Sequence, residues 1–254
     1  MIVLNVEKLS KYYGALAALH DVDLQVFGSE ILGVIGPNGA GKTTLFNVIT
    51  NLVSPTSGRV IYRGENISTM RTYQIARMGI ARTFQASVLY TELTCFQNVL
   101  MGCHTQYRQH RIKAFLHTRA AKREEMVVRQ KANEILEFMG LSEVKEKLAG
   151  DLPHGYQRIL GVCIALGAEP RLLLLDEPLT GMNPQEKLYM VDLIRKIKNN
   201  GTTIVIVEHD IETVMRLCDR IVVLNFGQKI AEGLPLEVKG NEKVIEAYLG
   251  KEVE

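Results

Sequence analysis

The stretch ILGVIGPNGAGKTTLFNVI, residues 31–49, decides the fold. ILGVI is a short continuous apolar run, the pattern of a strand buried on both faces. GPNGAGKTT at 36–44 then satisfies G-x-x-x-x-G-K-[ST] with Gly36, Gly41, Lys42 and Thr43, directly after that strand and opening a helix. Glycines let backbone N–H groups close around phosphate oxygens with no Cβ in the way. The helix beginning near Gly41 turns its positive end toward them. Lys42 adds a mobile cation for the β- and γ-phosphates, and the Thr43 hydroxyl suits Mg²⁺. Asn38, Gly39, Ala40 and Thr44 complete the loop.

Such a loop needs a second acid for the metal. LLLLDEP at 172–178 supplies Asp176 at the end of an apolar strand, with Glu177 immediately after it. An acid at the carboxyl edge of a parallel strand stands where ligands of open α/β sheets bind. Asp176 is expected to hold Mg²⁺ through water, and Glu177 to polarise the attacking water as general base. Gln85 ends the strand-like run ARTFQ, where a neutral amide can reach metal or water. His209, in IVIVEHD, also stands just past a strand, at the same sheet edge as Asp176.

Around this core, Val22, Leu24 and Val26 stand at period two, and SPTSG at 54–58 is a turn cluster before RVIYRG, another strand. From about residue 94 to 168 the spacing is helical and offers no good strand. Strand signals return with RLLLLD at 171–176, TTIVIV at 202–207 and RIVVLN at 220–225, and FGQ at 226–228 reads as a hairpin turn. The order predicts an α/β fold with a mostly parallel sheet, crossover helices and a helical insertion.

Bulk composition fits one large globular domain. The 254 residues are 46% hydrophobic and 23% charged, and a net charge of +2 is too small to point to nucleic acid. MIVLNVEKLS carries no targeting signal, and ILGVCIALGA at 159–168 falls short of the ~20 residues that span a bilayer. Four cysteines, at 95, 103, 163 and 218, form no C-x-x-C pair and are expected as reduced thiols in a core. The basic run YRQHRIKAFLHTRAAKR at 107–123 reads as a solvated helix face, or as a surface near lipid headgroups or an acidic partner.

The order of motifs resembles the ATP-binding subunits of ABC transporters over essentially the whole chain. GPNGAGKTT, Gln85, the stretch 151–158, LLLLDEP, LTGMNP and His209 carry the resemblance. It implies a P-loop NTPase core with an N-terminal antiparallel β subdomain, made of residues 1–85 and 169–254, and an inserted helical subdomain at 86–168. It also implies ATP and Mg²⁺, and an aromatic that stacks on adenine; Tyr13 matches its place, with Tyr12 the near competitor. GIARTFQASVLYTELTCFQNVLMG, HTRAAKREE, EILEFMGL and the ending DRIVVLNFGQKIAEGLP…VIEAYLG are most similar to the branched-chain amino-acid importer ATPases. Lipopolysaccharide-export ATPases and urea or amide importers share part of that likeness. A soluble ABC ATPase without a transport role is a poorer match. The implied partners are a second ATPase subunit, identical or a close paralogue, integral membrane permease subunits and, indirectly, a solute-binding protein. The implied place is the cytoplasmic face of the membrane, without nucleic acid.

DLPHGYQRILGVCIAL at 151–166 departs from the family, where Leu-Ser-Gly-Gly-Gln is usual. Here the stretch expected against the partner subunit's ATP is Leu152, Pro153, His154, Gly155, Tyr156 and Gln157. Proline is tolerated at the first helical position, so the helix end and the Gly155 N–H can still face phosphate. Asn183 in LTGMNP, where many relatives carry aspartate, is a second departure that weakens the expected contact of that loop across the dimer.

Overall fold

The computed structural model describes residues 1–83, 89–103 and 119–249; of 119–121 and 249 only the backbone is described. Gln85 and most of the basic run at 107–123 lie outside the described residues. The chain divides into two compact units, one of Met1–Ile80, Arg171–Glu177 and Ile194–Glu254, the other of Ala81–Pro170 and Pro178–Leu193.

The first unit holds strands β1 (Ile2–Tyr13), β2 (Leu16–Phe27), β3 (Ile31–Ile35), β4 (Ser57–Tyr62) and β5 (Glu65–Asn66). Later in the chain follow β6 (Ile80–Arg82), which starts at its boundary, β7 (Leu172–Asp176), β8 (Thr203–Val207), β9 (Arg220–Asn225) and β10 (Gln228–Gly233). β2, β1, β4 and β5 form an antiparallel sheet in that order. In β2 the side chains of Val22, Leu24 and Val26 are buried while Asp23 and Gln25 are exposed, the alternation of a sheet with one dry face. The second sheet has the order β10-β9-β3-β8-β7-β6, with Ile80 of β6 at its edge. β3 pairs in parallel with both β8 and β9, and β8 with β7. Every residue of β3, β7 and β8 is buried, as their unbroken apolar runs require of strands covered on both faces. Their parallel register places the ends of β3, β7 and β8 at one carboxyl edge.

The second unit is helical, with helices Cys95–Cys103, Arg119–Phe138 and His154–Leu166 and the first turns of Pro184–Asn199. Gly102 and Gly167 let two of these helices close up: a Cβ on Gly102 would collide with the Ile164 carbonyl, and one on Gly167 would lie 2.7 Å from the Cys103 nitrogen. Asn98, fully buried, donates to the carbonyls of Tyr90, Leu93 and Thr94 and accepts the Tyr90 N–H, so one amide shapes the turn before its own helix. All four cysteines are free and buried, and burial pushes the Cys103 thiol up to about 11. Among the described residues, no helix is long and apolar enough to cross a membrane.

Candidate functional site

β3 delivers the chain into the loop 36–41, and the helix Lys42–Ile49 carries it away. Gly41, the residue before that helix, has φ +101, and a Cβ there would lie 2.5 Å from the Ala18 carbonyl oxygen. Gly36 has φ +153, and a Cβ on it would collide with the Leu224 carbonyl. Both positions admit only glycine because backbone, not a movable side chain, occupies the space. The helix ladder opens with Leu45 N–H donating to Gly41 O at 2.8 Å, so the N–H groups of Lys42, Thr43 and Thr44 precede it. No side chain caps this end and no acid stands in its first turn, which leaves its positive end for an anion.

Lys42 is buried and donates to Gly36 O at 2.7 Å and Pro37 O at 2.9 Å. Burial lowers its pKa, while the carboxylates of Glu177 and Asp176 pull the other way. The ammonium therefore lies within the field of both acids. Asp176 ends β7 at 2% exposure, and Glu177 follows at 5%. Glu177 sits at φ +49 with its N–H on the Val207 carbonyl, a left-handed backbone that costs a non-glycine residue roughly 1–3 kcal/mol. His209 Nε2 meets Glu177 Oε1, which joins the ends of β7 and β8 through their side chains. Glu208, buried beside His209, accepts the His209 N–H at 3.3 Å. It is a third acid at this edge that the sequence reading passed over; its signal was its place directly after the TTIVIV run.

The two tyrosines differ. Tyr12 shares a 2.7 Å hydrogen bond with His20 Nδ1, whereas Tyr13 is 47% exposed and has the Lys11 ammonium 5.1 Å from its ring centre on one face. In the second unit, Leu152 and Gly155 are buried and Pro153, His154 and Tyr156 are exposed. Gln157 turns its amide back onto the Leu152 carbonyl at 3.0 Å. The His154 ring covers Gly181, and the Glu186 carboxylate lies against Gly155, 2.6 Å from where a Cβ would stand.

Residues 19–180 match the family described as ABC transporter. The chain belongs to the ABC transporter family. Within it, residues 228–254 match the narrower description branched-chain amino acid ATP-binding cassette transporter. This cassette is 38% identical over 250 residues to the high-affinity branched-chain amino acid transport ATP-binding protein LivG of Escherichia coli (strain K12), with 98% of each chain covered. BraF of Pseudomonas aeruginosa, which carries the same description, matches at 38% over 98% of each chain. A solved ADP conformation of an ATP-binding cassette of an ABC transporter superposes with a TM-score of 0.86 at 32% identity, over 99% of this chain and 100% of that one. The fold is that of an ABC ATPase cassette.

One expectation changes on this cassette. Pro153 is the residue before the helix, φ −53 and ψ 149, and His154 is the first helical one. The ring's fixed φ fits an extended ψ just outside the helix as well as it fits the first turn. Asn183 has a local role: its side chain accepts the Glu186 N–H at 3.0 Å while Glu186 accepts the Asn183 N–H at 2.9 Å. This reciprocal cap, followed by Pro184 in the first helical position, starts the helix Pro184–Asn199. Asparagine and aspartate cap about equally well, so their exchange here is cheap.

Proposed function

We propose that this cassette is the ATP-hydrolysing subunit of an importer of branched-chain amino acids, held at the cytoplasmic face of the membrane by permease subunits. The observation that carries the catalytic part is the presence of Lys42, Asp176, Glu177 and His209 together at the carboxyl edge of β3, β7 and β8. The substrate class rests on full-length relatives of that description and on the match at 228–254.

In this reading the backbone of Gly36–Thr44 wraps the phosphates, Lys42 leaves the Gly36 and Pro37 carbonyls for them, and Tyr13 stacks its open face on adenine. Thr43, Asp176 and Gln85 are the oxygen donors for Mg²⁺. A hydroxyl, an amide and a carboxylate are the hard oxygen donors that Mg²⁺ takes, and Asp176 is buried at the end of β7. Bound there, Mg²⁺ neutralises charge on the phosphates. Glu177 accepts the proton of the attacking water, and His209 holds the Glu177 carboxylate in place. A second subunit, identical or a close paralogue, presents its 152–157 stretch from the helical subdomain at 86–168, and a solute-binding protein feeds the permease.

Glu177→Gln keeps the shape of the site but cannot take a proton. ATP binding should persist, hydrolysis should fall by a factor of roughly 10²–10⁴, and a stable ATP-loaded dimer should elute from size exclusion. Hydrolysis at the normal rate would remove Glu177 from the base role. Uptake assays with the co-purified permease would test the substrate: failure to import leucine, isoleucine or valine would overturn the amino-acid assignment alone.

A further inference from the structure

The turn that joins β9 to β10 is Phe226–Gly227, and both residues are left-handed, at φ +45 and φ +76. Turns of this kind prefer Asn-Gly. Phenylalanine is an uncommon first residue, and its ring is 84% exposed, so burial of the ring does not explain the turn. Gly227, by contrast, is buried, and its backbone is engaged on both sides. Its N–H donates to the Ala40 carbonyl at 3.1 Å, and its carbonyl accepts the His20 N–H at 2.8 Å. Backbone strain persists where the surroundings over-determine it, and here they do.

These two bonds join two parts of the proposed ATP site. Ala40 lies inside the phosphate loop, just before Gly41. Phosphate uses the N–H groups of such a loop, so a bond to one of its carbonyls steadies the loop without competing for the ligand. His20 lies on β2, whose register with β1 sets Ala17 opposite Tyr12 and Leu16 opposite Tyr13. The Tyr12 hydroxyl, 2.7 Å from His20 Nδ1, ties the same two strands through side chains. The Ala18 carbonyl oxygen closes the assembly: it stands 2.5 Å from where a Cβ on Gly41 would be, and 2.8 Å from where one on Gly227 would be. Gly227 thus sits between the phosphate loop and the strand pair that carries Tyr13, with no room for a side chain.

We propose that Gly227 is a positioning residue for the nucleotide. Its peptide groups fix the phosphate loop relative to Tyr13, so that one ATP meets both the loop and the ring. The proposal rests on the reading of residues 36–44 as the phosphate loop and of Tyr13 as the adenine contact. A ligand held at two points gains from the second only when the spacing matches. The worth of the Tyr13 stack therefore depends on Gly227, whereas a glycine that only stabilises the fold would leave the two effects independent.

A double-mutant cycle on the full chain, titrated with MgATP, reads that dependence. Tyr13→Ala alone should weaken binding roughly 10-fold, within the range of a base–aromatic stack. In a Gly227→Ala background the same change should cost less than about threefold, because the ring is already out of place. Gly201→Ala is the control. It lies ahead of β8, at the end of that strand away from the site, with φ +91 and open space around it. It carries the same kind of backbone strain, yet Tyr13→Ala should keep its full effect of roughly 10-fold there. Gly227→Asn enters the left-handed region more readily but sets its Cβ against the same Ala18 carbonyl, so it gives the same readout if Gly227→Ala does not fold. An equal cost of Tyr13→Ala in the wild-type and Gly227→Ala backgrounds would overturn the proposal, as would loss of that cost in Gly201→Ala. Tyr13→Ala binding MgATP like the wild type would instead strike the adenine reading, and the proposal with it.

Discussion

Two helices of this cassette begin where phosphate is expected, and they are built differently. Lys42–Ile49 is entered through Gly41 at φ +101, with backbone oxygen 2.5 Å from where a Cβ would stand. His154–Leu166 is entered through Pro153 at φ −53, and its Gly155 is confined by a side chain, the Glu186 carboxylate. The first start depends on a backbone shape that one residue type can adopt. The second depends only on beginning a helix, which several residue types do. That difference explains why the phosphate loop follows its pattern letter by letter while the other stretch has drifted. It also sets the order of damage. Gly41→Ala must force a left-handed alanine against the immovable Ala18 carbonyl, so it should cost upwards of about 2 kcal/mol and remove most MgATP binding. Gly155→Ala meets only the Glu186 carboxylate, which can rotate at the expense of its bond to the Asn183 N–H, so calorimetry should find a loss of no more than about 1 kcal/mol. Equal damage at the two glycines would erase the distinction.

Charge sharpens the same comparison. Gly155→Asp adds a carboxylate beside that of Glu186 and at the helix end proposed to face the partner's ATP. Like charges this close disfavour ionisation of both. ATPase activity of the assembled transporter should fall at least about 100-fold, the equivalent of some 2.7 kcal/mol, whereas Gly155→Ala should retain most of it. Full activity in Gly155→Asp would mean that this helix end never meets phosphate.

The regions legible in the sequence are those in which one local pattern specifies the structure. β3, β7 and β8 could be read as buried parallel strands because they are unbroken apolar runs. Lys42, Asp176, Glu177 and His209 could be placed together because each stands just after such a run. What joins distant residues left no local mark. Arg220, for example, bridges to Glu30 at 2.8 Å and to the Gln25 carbonyl, and stacks 4.8 Å over Phe27, across sequence separations of 190 to 195 residues. Glu186 against Gly155 is a contact of the same kind. The one-residue shift at Pro153 is smaller in kind, because proline's φ suits both positions and the sequence cannot choose between them.

Asn183 tests the reading of its loop as helix-starting. Asn183→Ala removes a cap worth about 1 kcal/mol: the Glu186 N–H loses its acceptor, while the backbone N–H at 183 stays available to the Glu186 carboxylate. A small drop in thermal stability should follow, with ATPase activity kept within about threefold. Asn183→Asp keeps the acceptor and should restore the stability. If the aspartate variant is as damaged as the alanine one, the amide has a role beyond capping.

The smallest effect is expected at Pro153. In the usual family stretch a serine hydroxyl stands here, and a hydrogen bond from it to charged phosphate would be worth about 1.5–3 kcal/mol, or roughly 10- to 150-fold in rate if made only in the transition state. In this chain the proline occupies the position before the helix, the His154 ring is seated over Gly181, and Gln157 ties back to the Leu152 carbonyl. The turn is thus held by contacts on both sides of Pro153 that a serine would not improve. Pro153→Ser in the assembled transporter should therefore change ATPase activity by less than about 10-fold in either direction, from a wild type that already turns over. A gain of 100-fold over a nearly inert wild type would show instead that the proline is a lesion, and that the two helix starts demand equally strict sequences.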